Sequence, residues 1–235
     1  MNTFKNKDGK QILMAMVKGI QTNKEYLGEV DGLIGDGDHG MNMNKGFTLF
    51  ENRFADKEFS FTEGLEELGT ILFAEIGGSM GPIYGTILND AASVGEDAED
   101  IDVKVLAEML RGGLAGLQEI VEAHIGDKTL VDTLEPAVKS LEESAALGEK
   151  FSLALNRMKK AAAAGRDSTK DMVAKFGRSS RLGERSRGVL DAGATSCCII
   201  LTAMAECFCG KGNSYDKKYN GQSALYATAG LASGG

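Results

Sequence analysis

Apolar residues recur along most of this chain at intervals of three and four, the period of a helix with one buried face, and no stretch alternates convincingly as a half-buried strand would. The pattern predicts eight helices. The first covers about residues 8–28, capped by Asp8 and carrying Ile12, Met16, Ile20 and Leu27 on one face. A second covers about 40–54 with Phe47, Phe50 and Phe54, a third about 61–76 with Leu65, Leu68 and Leu72, and a fourth about 83–94. The acidic connection 96–102 ends in Asp102, which caps a long fifth helix over about 103–123, striped by Leu106, Met109, Leu110, Leu114, Leu117 and Val121. The sixth, about 133–147, starts with Thr133 and holds Pro136 in its first turn. The seventh runs over about 152–176 with a break at Gly165, and the eighth, about 194–209, is apolar nearly all round and therefore central.

Eight helices joined by polar turns predict an all-α antiparallel barrel or bundle, a single domain over 1–235 with its core in about 8–209. The Gly-, Ser- and Tyr-rich tail 210–235 has a short helical possibility at 223–231 and is expected to pack loosely or fray. Thirty-one glycines against two prolines suit helices separated by glycine-rich turns.

Charge narrows the partners. A net charge of -8 and a pI near 5.0 argue against nucleic acid or a membrane surface as the main partner. The four cysteines, Cys197, Cys198, Cys207 and Cys209, share one apolar stretch without metal-ligand spacing, so they read as reduced core residues. The N-terminus has no apolar signal region, and no run approaches the ~18 apolar residues of a membrane span, which predicts a cytoplasmic protein.

One segment concentrates the chemistry. Asp31, Asp36 and Asp38 place three carboxylates within eight positions, separated by glycines and followed by a polar helix start. Gathering three anions costs on the order of several kcal/mol unless a cation neutralises them. Oxygen-only ligands select a hard ion, and few carboxylates with room for phosphate oxygens suit Mg²⁺. Two plainer readings stand beside this one. Asp-Gly pairs are ordinary turn signals, and Asp-x-Asp-Gly can open a Ca²⁺ loop, although such a loop closes on a Glu at its twelfth position, where this chain has Asn42. The helix that starts beside the aspartates offers unpaired N–H groups suited to phosphate.

Two further loops are candidates for anion contact. In Gly77-Gly78-Ser79-Met80-Gly81-Pro82-Ile83-Tyr84-Gly85, small residues let backbone N–H groups approach a phosphate, but glycine pairs also serve close helix packing. The loop is neither a Walker motif nor a dinucleotide fingerprint. Between Gly177 and Gly188, Arg178, Arg181, Arg185 and Arg187 form a basic patch in an acidic protein, either a solvated loop or a set of forks for phosphate. Asp191 beyond it is a candidate acceptor for ribose hydroxyls.

Taken in order, Ile34-Gly35-Asp36-Gly37-Asp38-His39-Gly40-x-Asn42-Met43, the Gly77 to Gly85 loop, Gly126-Asp127-Lys128-Thr129, Gly177-Arg178-x-Ser180 with Leu182-Gly183-Glu184-Arg185-Ser186, and Asp191-x-Gly193-Ala194 resemble the nucleotide-binding, DhaL-type subunit of dihydroxyacetone kinase over about residues 8–209. That resemblance implies an eight-helix barrel holding ADP or ATP at one rim through two Mg²⁺ ions, with Asp31, Asp36 and Asp38 as ligands. It further implies that His39, Gly40, Met41 and Asn42, with Gly78, Ser79 and Met80, lie at the phosphates. Thr129 and Leu130 are then near the base, and Arg178, Asp191 and Gly193 surround the nucleotide. The chain departs from the family pattern at Met80, where a second small or hydroxyl residue is usual, at Ala192 in place of a proline, and at Arg181 in place of an aromatic. Glu119, Val121 and Glu122 replace the Gly and basic residues common upstream of Gly126.

Phosphoryl transfer needs positioning and charge neutralisation more than covalent chemistry. Arg178 is the candidate catalytic residue, steadying the migrating group. No Lys- or His-rich acceptor pocket is evident, and the family holds its ketose covalently on a histidine of a separate, DhaK-type subunit, so the resemblance implies half of an enzyme. The nucleotide is either exchangeable ATP or a bound ADP recharged by a phosphohistidine, DhaM-type protein of the sugar phosphotransferase system. Rival readings are a subunit for another small ketose such as a tetrulose, a nucleotide-sensing regulatory subunit, and the nucleotide domain of a fatty-acid-type kinase. The last is disfavoured because the chain ends soon after the eighth helix, leaving no room for an acyl-binding domain.

Overall fold

Nine α-helices make up most of residues 3–208, which the computed structural model describes; Cys209, the tail 210–235 and its predicted helix at 223–231 lie outside the described residues. They are α1 (Lys10–Thr22), α2 (Lys24–Gly32), α3 (His39–Phe54), α4 (Phe61–Glu75), α5 (Met80–Gly95), α6 (Val103–Ile120), α7 (Val131–Ala146), α8 (Phe151–Ser168) and α9 (Ala192–Phe208). Two-residue strands β1 (Phe4–Lys5) and β2 (Asp100–Ile101) pair antiparallel, Phe4 opposite Ile101. The fold is all-α, as expected, and no helix among the described residues is long and apolar enough to cross a membrane.

The differences from expectation are local and have local causes. The single first helix is two, because Asn23 leaves helical geometry (φ -104°, ψ 11°) and its side-chain amide donates to the Gly19 carbonyl at 2.8 Å. Asp8 caps nothing: it closes a 3₁₀ turn, Asn6–Asp8, and Gly9 takes the cap position of α1. The sixth expected helix starts earlier, at Val131, so Pro136 sits inside α7 and leaves the Asp132 carbonyl without its helical N–H. Gly165 does not break α8. It packs on that carbonyl, where a Cβ would lie 2.0 Å from the oxygen, and the helix ends at Ser168 instead of continuing to about 176. The cap predicted at Asp102 is present, its carboxylate accepting the Val105 N–H at 2.8 Å.

Helices α3 to α9 pack in chain order, each on the next, and α1 closes the circuit by packing on both α9 and α3, with α2 against α3. The predicted stripes line its interior: Phe47, Phe50, Leu65, Leu68, Leu72, Leu106, Met109, Leu114 and Leu117 are buried. α9 is buried on nearly every side, including the free thiols Cys197 and Cys198. Phe4, Phe61, Phe151 and Phe208 form an aromatic cluster with centroids 4.6 to 6.0 Å apart. Phe208 ends α9, so this cluster lies roughly 25 Å along the helix from Ala192, at the end opposite the loops described next.

Candidate functional site

Asp31 occupies the last turn of α2, Asp36 lies in the tight turn that follows, and Asp38 immediately precedes α3. One carboxylate oxygen from each lies within 4.8 Å of the others. The turn needs its glycines. Gly37 has a left-handed φ of 77°, and a Cβ on Gly35 would lie 2.4 Å from Asp31 Oδ1, inside the cluster itself. Ile34 buries and anchors the turn, whereas Leu33 is 65% exposed, so only one of the two apolar residues there is held in the core. Three hard oxygen donors open to a cleft, with no nitrogen or sulfur among them, fit a divalent ion such as Mg²⁺. The Arg178 guanidinium is in contact with Asp36.

The cluster forms one wall of a cleft of about 660 Å³. Around it the circuit shows alternate ends: α3, α5, α7 and α9 bring their N-termini, while α4 and α6 bring their C-terminal connections through Gly77-Gly78 and through Val121 and Ala123. Helices adjacent in the circuit therefore run antiparallel here, and several N-termini with their partial positive charge face one space. Ser79 is exposed at the cap position of α5 and makes no capping bond, which leaves its hydroxyl to the cleft. Gly78, with φ 71°, supplies the left-handed turn before it.

Of the predicted residues, Asp31, Asp36, Asp38, His39, Asn42, Gly78, Ser79, Met80, Thr129, Leu130, Arg178, Asp191 and Gly193 all line the cleft. Gly40 and Met41 do not. Gly40 faces the body of the protein, where a Cβ would lie 1.9 Å from the Lys24 carbonyl oxygen, so its glycine serves the close approach of α3 to α2. The Met41 side chain is exposed away from the cleft wall.

His39 is held twice. Its backbone N–H donates to Asp31 Oδ2 at 3.4 Å, and its ring Nε2 meets the Ser196 hydroxyl at 2.8 Å. Ser196 lies 2.6 Å from the Tyr84 hydroxyl, which donates to the Gly193 carbonyl at 3.1 Å. Burial pulls the imidazole down to about 4, so at neutral pH the ring is uncharged and one nitrogen is an acceptor. Asp191 caps α9, its Oδ2 accepting the Ala194 N–H at 2.7 Å, and burial pushes its carboxyl up to about 6. Oδ1 remains for a ligand.

Sequence reasoning missed three of these contributors. Ser196 meets His39, and Tyr84, 112 residues from Ser196, meets that serine, only through the fold, although the hydroxyl pair Thr195-Ser196 in a mostly apolar helix was a signal. Lys128 lines the cleft with a fully buried side chain and a left-handed φ of 61°. The loop that carries it is built on Asp132, whose two oxygens accept the Gly126 N–H at 2.6 Å and the Thr129 N–H at 2.8 Å.

Fold and site together define an all-helical protein whose aspartate-rich turn opens onto an anion-favouring cleft. A family model for the DAK2 domain matches residues 33–206. The ADP-binding subunit DhaL of a PEP-dependent dihydroxyacetone kinase from Listeria innocua is 36% identical over 189 residues, 80% of this chain and 89% of that one. The corresponding Escherichia coli subunit is 37% identical over 189 residues, 79% and 89% of the two chains. The crystal structure of the dihydroxyacetone kinase from C. freundii in complex with AMP-PNP and Mg²⁺ superposes with a TM-score of 0.66 at 22% identity, covering 87% of this chain and 34% of that one, and shows a shared fold. This chain belongs to the DAK2-domain family, among its DhaL-type members.

Proposed function

We propose that this chain is the ADP- and Mg²⁺-binding subunit of a kinase for dihydroxyacetone or a related small ketose, passing a phosphoryl group to substrate held on a separate subunit. The observation that carries the reading is the convergence of Asp31, Asp36 and Asp38 with the N-termini of α3, α5, α7 and α9 on one cleft in a chain of this family. Asp31, Asp36 and Asp38 would hold Mg²⁺ there, and the ion would supply neutralisation of phosphate charge. The family resemblance supports two ions, which metal analysis of the nucleotide complex would count.

The chain's own groups do the rest. Backbone N–H groups at the starts of α3 and α5, with the Ser79 hydroxyl, His39 and Asn42, orient phosphates; Gly40 and Met41 contribute through the backbone of the same turn. Thr129 and Leu130 bound the base, Asp191 Oδ1 and Gly193 the ribose, and Met80 offers only its main chain. Arg178, exposed and placed beside Asp36, steadies the phosphoryl group as it moves. We read the whole of 1–235 as one nucleotide-binding domain working in the cytoplasm, where adenine nucleotides are available. The ketose is expected on a DhaK-type subunit, and a DhaM-type phosphohistidine protein is the proposed phosphoryl donor to bound ADP.

Mass spectrometry of the ligand released from chain purified without added nucleotide, together with reconstitution, tests this. Retained ADP, and ketose phosphate formed only when both partner proteins and phosphoenolpyruvate are present, is the expected result. Direct use of ATP with the ketose-binding subunit alone would replace the recharging mode by exchange. Bound ADP with no ketose phosphate from any small ketose would overturn the kinase reading in favour of a nucleotide sensor.

A further inference from the structure

Residues 169–191 leave the end of α8 and return to the start of α9 as a loop with a stitched neck. The Gly188 N–H donates to the Lys170 carbonyl at 2.7 Å, the Asp191 N–H to the Thr169 hydroxyl at 3.0 Å, and Arg187 to the Asp171 carbonyl. The loop carries its own small core, in which the Ala174 N–H donates to the buried Ser186 hydroxyl at 2.9 Å. Its tip delivers Arg178 to Asp36, and its last residue is Asp191. It is a compact loop whose two ends are held together at the neck.

Through that neck passes one side chain from elsewhere. Lys128, 1% exposed, donates from Nζ to the Thr169 carbonyl at 2.6 Å and to the Val189 carbonyl at 2.5 Å, one on each side of the neck. It is the only non-glycine residue with a left-handed backbone among those described. A side chain in that conformation is strained, and an ammonium taken out of water is disfavoured unless it is hydrogen-bonded. Both costs fall on one residue at the edge of the cleft, and the carbonyls of Thr169 and Val189 are what they secure.

We propose that Lys128 is a positioning residue, a buried clamp on the neck of the 169–191 loop that holds Arg178 and Asp191 at the nucleotide. The inference rests on the reading of the cleft as an ADP site.

The test uses full-length Lys128→Ala and Lys128→Gly chains, read by calorimetric ADP affinity in Mg²⁺ and by the rate of trypsin cleavage at the exposed Arg178, Arg181 and Arg185. Losing two charge-assisted hydrogen bonds at the neck is expected to weaken ADP at least about tenfold and to speed cleavage by a similar factor. The glycine variant relieves the backbone yet should lose as much as alanine, and added propylamine should restore part of the affinity of both. Wild-type affinity in Lys128→Ala, or in Lys128→Gly alone, would overturn the clamp, the latter by showing that only the turn matters. Should both variants fail to fold, competitive acetylation of the wild-type chain decides: Lys128 is expected to label most slowly and slower still with ADP and Mg²⁺, and labelling at the rate of exposed lysines would overturn the proposal. A wild-type chain that binds no ADP overturns the ADP reading and the nucleotide role of the clamp together, whereas wild-type binding with unaffected Lys128 variants overturns the clamp alone.

Discussion

Asp36 carries the contrast between stability and function most sharply. It shares a small volume with two other carboxylates, so Asp36→Asn relieves repulsion in the free chain while removing a hard ligand. Its melting temperature is expected to stay level or rise in metal-free buffer, while ADP affinity in Mg²⁺ falls at least about tenfold, the effect of one lost charge-assisted contact. Asp191 gives a pH signature. Its carboxyl is raised from 3.8 to about 6 in the folded chain by burial, so between those values the folded state holds a proton that the unfolded state has released. The contribution of Asp191 to stability is therefore expected to fall as pH rises from 3.8 to about 6 and then level off, while His39, lowered to about 4 in the folded chain, adds an opposite rise; the difference between wild type and Asp191→Asn in urea titrations across the window should show the falling slope alone. The aspartates were legible in the sequence because their spacing is itself the site. Lys128 and the pairing of His39 with Ser196 and Tyr84 were not, because contacts 41 to 157 residues apart are made by the fold, and the Thr195-Ser196 hydroxyls marked a polar spot without naming its partner.

At the scale of elements, apolar period and caps predicted most helices, and the exceptions trace to residues with two readings. Asn23 can continue a helix or bond back to Gly19, and Pro136 can open a helix or sit within one if a neighbour accepts the altered carbonyl. Ser60 and Glu63 form a reciprocal capping box at the start of α4, with bonds of 3.2 and 2.7 Å, so Ser60→Ala is expected to cost about 1 kcal/mol in denaturant unfolding without changing nucleotide affinity. Gly40 carries a packing demand that its motif alone did not reveal. Its motif pointed to phosphate, yet the glycine is needed because α2 lies against it, and Gly40→Ala is expected to cost about 1–3 kcal/mol through overpacking against Lys24 and Gly28. By shifting the start of α3 beside Asp38, it should also weaken Mg²⁺-dependent ADP binding, which separates it from the Ser60 change.

For the whole molecule, the circuit of helices brings the ends of α2 to α7 and of α9 to a shared cleft and leaves the aromatic cluster of Phe4, Phe61, Phe151 and Phe208 at the other end of α9. A site assembled from so many elements links ligand binding to global stability: ADP with Mg²⁺ at a hundred times its dissociation constant is expected to stabilise the chain by about 2.7 kcal/mol, and a chelator to remove that gain. The all-helical class was readable from periodicity, but which helices pack on one another, and the closure by α1 against α3 and α9, depend on contacts between segments far apart in sequence. On the proposed function, Asp31, Asp36 and Asp38 hold the metal through which this cleft binds ADP. Calorimetric titration of ADP into nucleotide-free chain, in Mg²⁺ and again in EDTA, tests it most directly. One ADP per chain in Mg²⁺ and a large loss of affinity in EDTA are expected; equal affinity in both buffers, or no binding in either, would overturn the metal assignment.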